Sequence, residues 1–536
     1  MTETMTKKEQ ELTALHATIW QVANDLRGSV DGWDFKAYVL GMLFYRFISE
    51  DAANTCDMAA QSDCEGETFT PYAQQLDDAV DTEEVREWFL QQKGFFIRPS
   101  ELFENVCRRV AEDKDFRDNI NETLTTIFQN IQRSALGHAS EDAIKGLLED
   151  IKLNDKKLGA TVEERSKKIV KLLTAIEGLN FGAYSRSSID LFGDAYEYLM
   201  AMYAENAGKS GGEFFTPQDV AELLARITVL GKDRLRNVYD PACGSGSLLL
   251  TFVKVLGGNG DKIREGFYGQ EINLTTYNLC RMNMFLHGIS YDKFHIVQGD
   301  TLEKWENWGG KKFDAIVSNP PYSISWNGIA NPLLLNDERF SPAGVLAPKK
   351  NADLAFVMHA LYCLDPHGTA AIVSFPGVLY RDGAEQTIRE YLVENNYVHA
   401  VIALPDNLFF GTGIQTAILV LKKSKKDDSI LFIDASKNFV RSKTKNRLTK
   451  AIIEEILQHY ENRQTREGVS ALVRAEQVEQ QKYNLSVECY VNTQTDNEEE
   501  DIDILALNQE IAQVVAHQTA VRHEVDILVE RLESGA

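Results

Sequence analysis

Positive charge is scarce in this 536-residue sequence: 56 Lys and Arg stand against 80 Asp and Glu, a formal net charge of −24 at pH 7. Neutralising phosphates supplies most non-specific affinity for nucleic acid, so such a chain is not built to grip DNA by itself. Paired cysteines are also missing. The seven (Cys56, Cys64, Cys107, Cys243, Cys280, Cys363, Cys489) include no CxxC and leave one over in any scheme of intrachain bridges. That argues against a disulfide framework or a zinc ribbon and fits a reducing cytosol. No apolar run approaches the ~18 residues of a membrane span, and MTETMTKKEQELT lacks the apolar core of a signal peptide. A soluble, cytoplasmic chain without membrane contact is therefore expected. HExxH, GxSxG and zinc-deaminase patterns are absent. The GKS at 208–210 is no phosphate loop, because Tyr203 stands where GxxxxGK[ST] needs glycine.

What is present divides by texture. Residues 1–180 read as a helical N-terminal domain: apolar positions recur at helical spacing through Leu12, Leu15, Ile19, Trp20, Ala23 and Leu26, and again through FKAYVLGMLFYRFI. RGSVDGWD between them is a connector, with Asp34 placed to cap the next helix. Residues 181–425 turn to short β-branched runs alternating with amphipathic stretches: NVYD, GFYGQEIN, FHIVQGD, FDAIVSN, GTAAIVSF, VHAVIALP and TAILVLKK. This is an α/β pattern with a mostly parallel, doubly wound sheet, and the last two runs suggest an antiparallel hairpin at one edge. Residues 426–495 are expected to form a basic, helical region. Ten Lys and Arg lie between 422 and 450 against three acids, a stretch that can touch phosphate or simply be solvated. Residues 496–536 hold an acidic linker, DNEEEDID, and a heptad seam through Ile504, Leu507, Ile511, Val514, Val521, Val525, Leu528 and Leu532, with one lapse at Gln518.

Three strands in succession end on acids. Asp240 opens DPACGSGSLLL, where Gly244 and Gly246 permit a tight turn before a buried helix and Leu249 replaces the third glycine of a dinucleotide fingerprint. Glu271 ends GQEIN and Asp300 ends QGD. Three such acids suit a nucleoside carrying positive charge rather than a phosphate chain. The fourth strand runs into SNPPY, with Asn319 held ahead of Pro320 and Pro321, which cannot continue a sheet ladder.

SGGEFFTP, DPACGSGSLLL, GQEIN, GD and NPPY, in this order, resemble the amino-group DNA methyltransferases that use S-adenosylmethionine. With IWQVANDLRGSVDGWDFKAYVLGMLFYRFISE, the YNLS segment and the terminal helix, the chain is similar to the modification subunit of bacterial type I restriction-modification systems. The resemblance implies a Rossmann-like methyltransferase sheet with a helical N-terminal domain and a coiled-coil tail. It implies that Glu213, Phe214, Phe215, Thr216, Pro217 and Gln218 line the methionine end of the cofactor. Asp240 with Gly244, Ser245, Gly246 and Ser247 would hold its amino acid part, Glu271 its ribose and Asp300 its adenine. Implied partners are double-stranded DNA, a DNA specificity subunit shared by two modification subunits, and a restriction and translocation subunit.

The chemistry accounts for SNPPY. The N6 lone pair of adenine is delocalised into the ring, so the amine needs acceptors that fix its two protons and direct its electron density. Asn319 and the carbonyl of Pro320 can be those acceptors, preorganised by the prolines. Tyr322 offers a face for an extruded base, and Phe410 in LPDNLFFGTG a second. Neither a metal nor a covalent nucleophile is called for. No module for reading base edges is evident beyond residue 421, which leaves recognition to a separate subunit. Two other readings fit parts of the sequence: a methyltransferase for protein glutamine side chains, and a non-catalytic scaffold. The helical N-terminus, FFTP and the heptads weigh against the first, and intact NPPY and glycine loops against the second.

Overall fold

The computed structural model describes residues 15–20, 34–63, 69–182, 186–206, 215–258, 260–410, 412–442 and 445–491, with 516, 518 and 522 near the C-terminus. The chain divides into two compact units, Met1–Val491 and Asn492–Ala536. The acidic linker and all eight apolar heptad positions lie outside the described residues, as do Glu213 and Phe214.

The N-terminal region is helical, built on α1 (Asp34–Asp63), α2 (Glu83–Lys93), α3 (Phe103–Glu112), α4 (Ile120–Ser134) and α5 (Val162–Glu177). Leu40, Met42, Leu43, Phe44 and Tyr45 of α1 are all buried, which is the fate of a helix apolar on every side. Among the described residues no helix is long and apolar enough to cross a membrane.

After α6 (Arg186–Asn206) and α7 (Gln218–Val229) come β1 (Leu235–Asp240), α8 (Ser247–Val255), β2 (Ile263–Glu271), α9 (Leu274–Leu286), β3 (Phe294–Gln298) and β4 (Phe313–Ser318). They are followed by α10 (Asp353–Cys363), β5 (Leu364–Ser374), α11 (Ala384–Glu394), β6 (Val398–Ala403) and β7 (Ala417–Leu421). All seven apolar runs read from the sequence are strands. β1, β2 and β3 lie side by side and parallel, and β4 pairs parallel with the other side of β1. The order of connection therefore reverses beside β1, and the crevice at the carboxyl ends of β1 and β4 is where α/β sheets bind ligands. Buried Arg281 of α9 donates to the carbonyls of Asp142 (3.0 Å) and Lys145 (2.9 Å), fastening the helical region to this sheet.

Two expectations need correction. β6 and β7 are antiparallel, but β7 is inserted between β5 and β6 rather than placed at an edge. The region expected to be helical after 425 also carries strands. β8 (Ser429–Asp434) pairs parallel with β6, and β11 (Ser470–Arg474) pairs antiparallel with β8, extending the sheet to nine strands. Between them stand a small hairpin, β9 (Val440–Arg441) with β10 (Asn446–Arg447), and α12 (Lys450–Asn462). SILFID supplies a buried core to β8, and this apolar run outweighs the charges around it.

Candidate active site

Asp240 is the last residue of β1 and is fully buried. Its Oδ1 accepts from the Ala242 amide (3.0 Å) and from the Ser318 hydroxyl (2.9 Å), while Oδ2 is buried without a partner. Burial raises its pKa to about 7, and nearby Glu271 adds to the rise. The loop that follows turns at Gly246, whose φ of +79° lies in the left-handed region. A Cβ there would stand 2.7 Å from the Cys280 sulfur, so only glycine fits. Ser247 begins α8, leaving the first turn of amides without partners inside the helix.

Glu271 ends β2, with one carboxylate oxygen on the Gly244 amide (3.1 Å) and the other on that of Asn273 (2.8 Å). Burial raises its pKa as well. Asp300 sits two residues past β3 and accepts from the Leu302 amide (2.9 Å). Its neighbour Thr301 donates to the Pro241 carbonyl at 2.5 Å, so the loops after β1 and β3 are tied together.

At the end of β4 these elements meet SNPPY. Ser318 reaches Asp240, and the next residue, Asn319, donates from Nδ2 to Thr216 Oγ1 (3.1 Å) and accepts at Oδ1 from the Tyr322 hydroxyl (2.5 Å). Burial pushes the Tyr322 phenol well above its ordinary pKa, with the charge of Asp353 adding to it, so Tyr322 stays protonated and donates. One lone pair of Asn319 Oδ1 is left over. Within the 215–218 segment, Thr216 is the residue hydrogen-bonded to this asparagine. Phe215 packs against Phe410 (centroids 6.0 Å apart), and Gln218 is committed to Glu197 of α6 at 2.5 Å. The ring beside Tyr322 is Phe409, edge-on at 6.5 Å and 2% exposed, whereas Phe410 is half-buried.

One contributor escapes sequence reading. The chain leaves Tyr322 through Ser323, a non-glycine residue at φ +51°, and the Ser323 amide donates to both oxygens of Asp353 (3.1 Å each) at the start of α10. Asp353 is 5% exposed and its pKa is raised by burial. Thirty residues separate the two, and no motif links them.

The N-6 DNA Methylase family profile matches residues 187–500, and that of the HsdM N-terminal domain matches 15–176. The type I restriction enzyme MpnII methylase subunit of Mycoplasma pneumoniae is 47% identical over 539 residues, spanning 98% of either chain. The chain belongs to the N-6 DNA methylases, among the methylase subunits of type I restriction enzymes. The crystal structure of the methyltransferase subunit of a type I restriction-modification system from Streptococcus thermophilus shares 34% identity. It covers 90% of this chain and all of that one, with a TM-score of 0.79. The MjaIX methylase subunit of Methanocaldococcus jannaschii is 24% identical across 96% of this chain and 90% of its own. Membership makes the chain an adenine-N6 DNA methyltransferase and does not favour either the glutamine-methylating or the scaffold reading.

Proposed function

We propose that the chain methylates N6 of an adenine extruded from duplex DNA, using S-adenosylmethionine, as the modification subunit of a complex whose specificity subunit reads the sequence. What carries this reading is the junction at the end of β4, where Ser318 bonds the acid of the glycine loop and Asn319 bonds Thr216 and Tyr322. Cofactor half and target half thus meet at consecutive residues.

The donor set suits a sulfonium-bearing amino acid nucleoside. The partnerless Oδ2 of Asp240 fits the ammonium, the open amides of α8 fit the carboxylate, and the free lone pairs of Glu271 fit the ribose hydroxyls. Asp300 is left for the adenine ring. When bound, the cofactor supplies an electrophilic methyl group.

The chain's own residues do the rest. Asn319 Oδ1 and the Pro320 carbonyl accept the two N6 protons, and Thr216 restrains the amide so that its oxygen faces the base. Tyr322 offers its ring to the base, buttressed edge-on by Phe409, which is itself too buried to stack. Phe410 retains exposed surface and supplies the second face. Stacking and hydrogen bonds together offset an unstacking cost of a few kcal/mol.

Incubating the chain and its specificity subunit with methyl-labelled cofactor and duplex DNA is expected to place the label on adenine N6. Label on protein glutamine instead, with none in DNA, would overturn the reading.

Asp353 acts here as a positioning residue that stabilises the strained turn behind Tyr322. Asp353→Ala is expected to lower kcat by about 10- to 100-fold, in line with the loss of a buried charge-assisted hydrogen bond worth about 1.5–3 kcal/mol. Cofactor and DNA affinities should hold. Asp353→Asn keeps an acceptor and should restore kcat to within a few-fold of wild type; equal losses in both variants would point to the charge and not the turn.

A further inference from the structure

The basic stretch of 422–450 resolves into two kinds of side chain. Some of its ammonium groups are spent inside the fold. Lys423 donates to the Leu364 carbonyl (2.7 Å) and Lys425 to that of Val398 (2.7 Å), and desolvation lowers both to a pKa of about 8. Lys445 donates to Asn407 Oδ1 (2.9 Å) and to the carbonyls of Phe409 (2.7 Å) and Thr412 (3.1 Å). Its neighbour Asn446 bonds the Asp406 carbonyl and carboxylate (3.0 and 2.9 Å), and its amide bonds the Asn407 carbonyl (3.0 Å). The β9–β10 hairpin is thereby fastened to the loop that carries Phe409 and Phe410.

Of the other described cations, Lys422 lies half-buried over the Tyr460 ring (5.7 Å), and Lys426 and Lys437 are exposed outside the hairpin. Arg441 and Arg447 on the hairpin and Lys450 just after it are exposed, and among the described residues no ion pair involves them. Phe439 (38% exposed) and Val440 (52%) lie beside them. Arg447 and Phe410 line the same cavity of about 430 Å³. In a chain with a net charge of −24, three exposed cations between 441 and 450 make a local patch of the sign that attracts an anionic partner.

From this placement we propose that the β9–β10 hairpin is a contact surface for the phosphate backbone of the substrate duplex, next to the extruded base. The inference rests on the DNA-methylating reading above and extends it to a surface. An adenine that reaches Asn319 between Tyr322 and Phe410 brings its flanking phosphates to the loop that Lys445 and Asn446 clamp. There Arg441 and Arg447 are the free cations. Phosphate contacts carry no sequence information, so the hairpin sets register and affinity while leaving base reading to another subunit.

The test compares the chain, assembled with its specificity subunit, against the same complex carrying Arg441→Ala and Arg447→Ala. Affinity for a cognate duplex is measured by fluorescence anisotropy from 50 to 300 mM KCl. Losing two phosphate contacts should reduce the slope of log K against log salt by about 1.8 and weaken binding about tenfold near 100 mM salt. KM for DNA should rise, with kcat at saturating DNA and cofactor affinity within about twofold of wild type. An unchanged salt slope in a correctly assembled complex overturns the proposal. Failure of the variant to assemble at all, with free chain still folded by thermal melting, also overturns it and assigns the hairpin to a protein partner. A wild-type complex that neither binds nor methylates DNA would remove the underlying reading as well, which separates the two failures.

Discussion

Asn319→Ala is expected to lower single-turnover methyl transfer to adenine by at least about a thousandfold, or about 4 kcal/mol of transition-state stabilisation. The size follows from the role proposed for the side chain. Two acceptors are required to fix two N6 protons. Removing Asn319 Oδ1 leaves the Pro320 carbonyl alone, and it also frees the Tyr322 hydroxyl and Thr216 Oγ1 that hold the amide from either side. A preorganised polar contact that strengthens as charge moves is worth about 10² to 10³ in rate, and loss of amide and Tyr322 geometry together puts the variant at the upper end. Of the groups assigned to the cofactor only Thr216 touches Asn319, because Asp240 is held by Ser318 and Ala242 and Glu271 by its own amide donors. Cofactor affinity measured by calorimetry should therefore stay within about twofold. Asn319→Asp keeps acceptor oxygens but loses the donation to Thr216, so it should fall between the two. Wild-type rates in the alanine variant would take Asn319 out of the mechanism.

Much of the sheet was readable because β1, β2 and β4 to β7 are largely buried on both faces, only the edge strand β3 alternating. Such strands appear as short apolar runs ended by the polar residues of the ligand-binding rim. DPACGSG, GQEIN, QGD and SNPPY all fall at carboxyl ends for this reason. Their spatial order was less readable. VHAVIALP and TAILVLKK announce an antiparallel pair, but whether it caps the sheet or lies within it depends on what else pairs with β6. That partner, β8, lies among lysines and aspartates.

Charge was the harder quantity to read. A count of ten bases between 422 and 450 does not distinguish an ammonium that caps carbonyls, as at Lys423, Lys425 and Lys445, from one that faces solvent, as at Arg441. The distinction lies in tertiary contacts with β5, β6 and the 407–412 loop. Asp353 escaped for a similar reason: as the first residue of a helix it looks like a routine terminal acid, and its bond to Ser323 exists only once the intervening 29 residues have folded back. Phe409 and Phe410 were indistinguishable in sequence, and burial alone separates the buttress from the candidate face.

The second large effect concerns Asp240, where stability and binding should move in opposite directions. Its pKa of about 7 in the fold exceeds the value of 3.8 for an unperturbed carboxyl because the group is buried and Oδ2 has no partner. A folded-state pKa above the unfolded one means that the group's favourable contribution is complete below about pH 4 and is lost as pH rises to about 7, at about 1.4 kcal/mol per unit. Asp240→Asn abolishes this titration. In chemical denaturation, stability of the variant relative to wild type should climb with that slope between pH 5 and 7 and then level off. An unpaired amide nitrogen lowers the intercept of that line but not its slope. Ligand-free protein is the right material, since a bound ammonium would stabilise the carboxylate and depress its pKa. In the proposed binding mode the carboxylate is the form that pairs with the cofactor's ammonium, so wild-type affinity should rise by up to about tenfold per pH unit below 7, with protons released on binding. The asparagine variant should bind about 10- to 100-fold more weakly at pH 7.5, as expected for a lost charge-assisted bond, with little pH dependence over the same range. A variant that gained stability without losing affinity would show that the buried acid serves something other than the cofactor, whereas a flat wild-type profile in both measurements would show that the carboxyl does not titrate near neutrality at all.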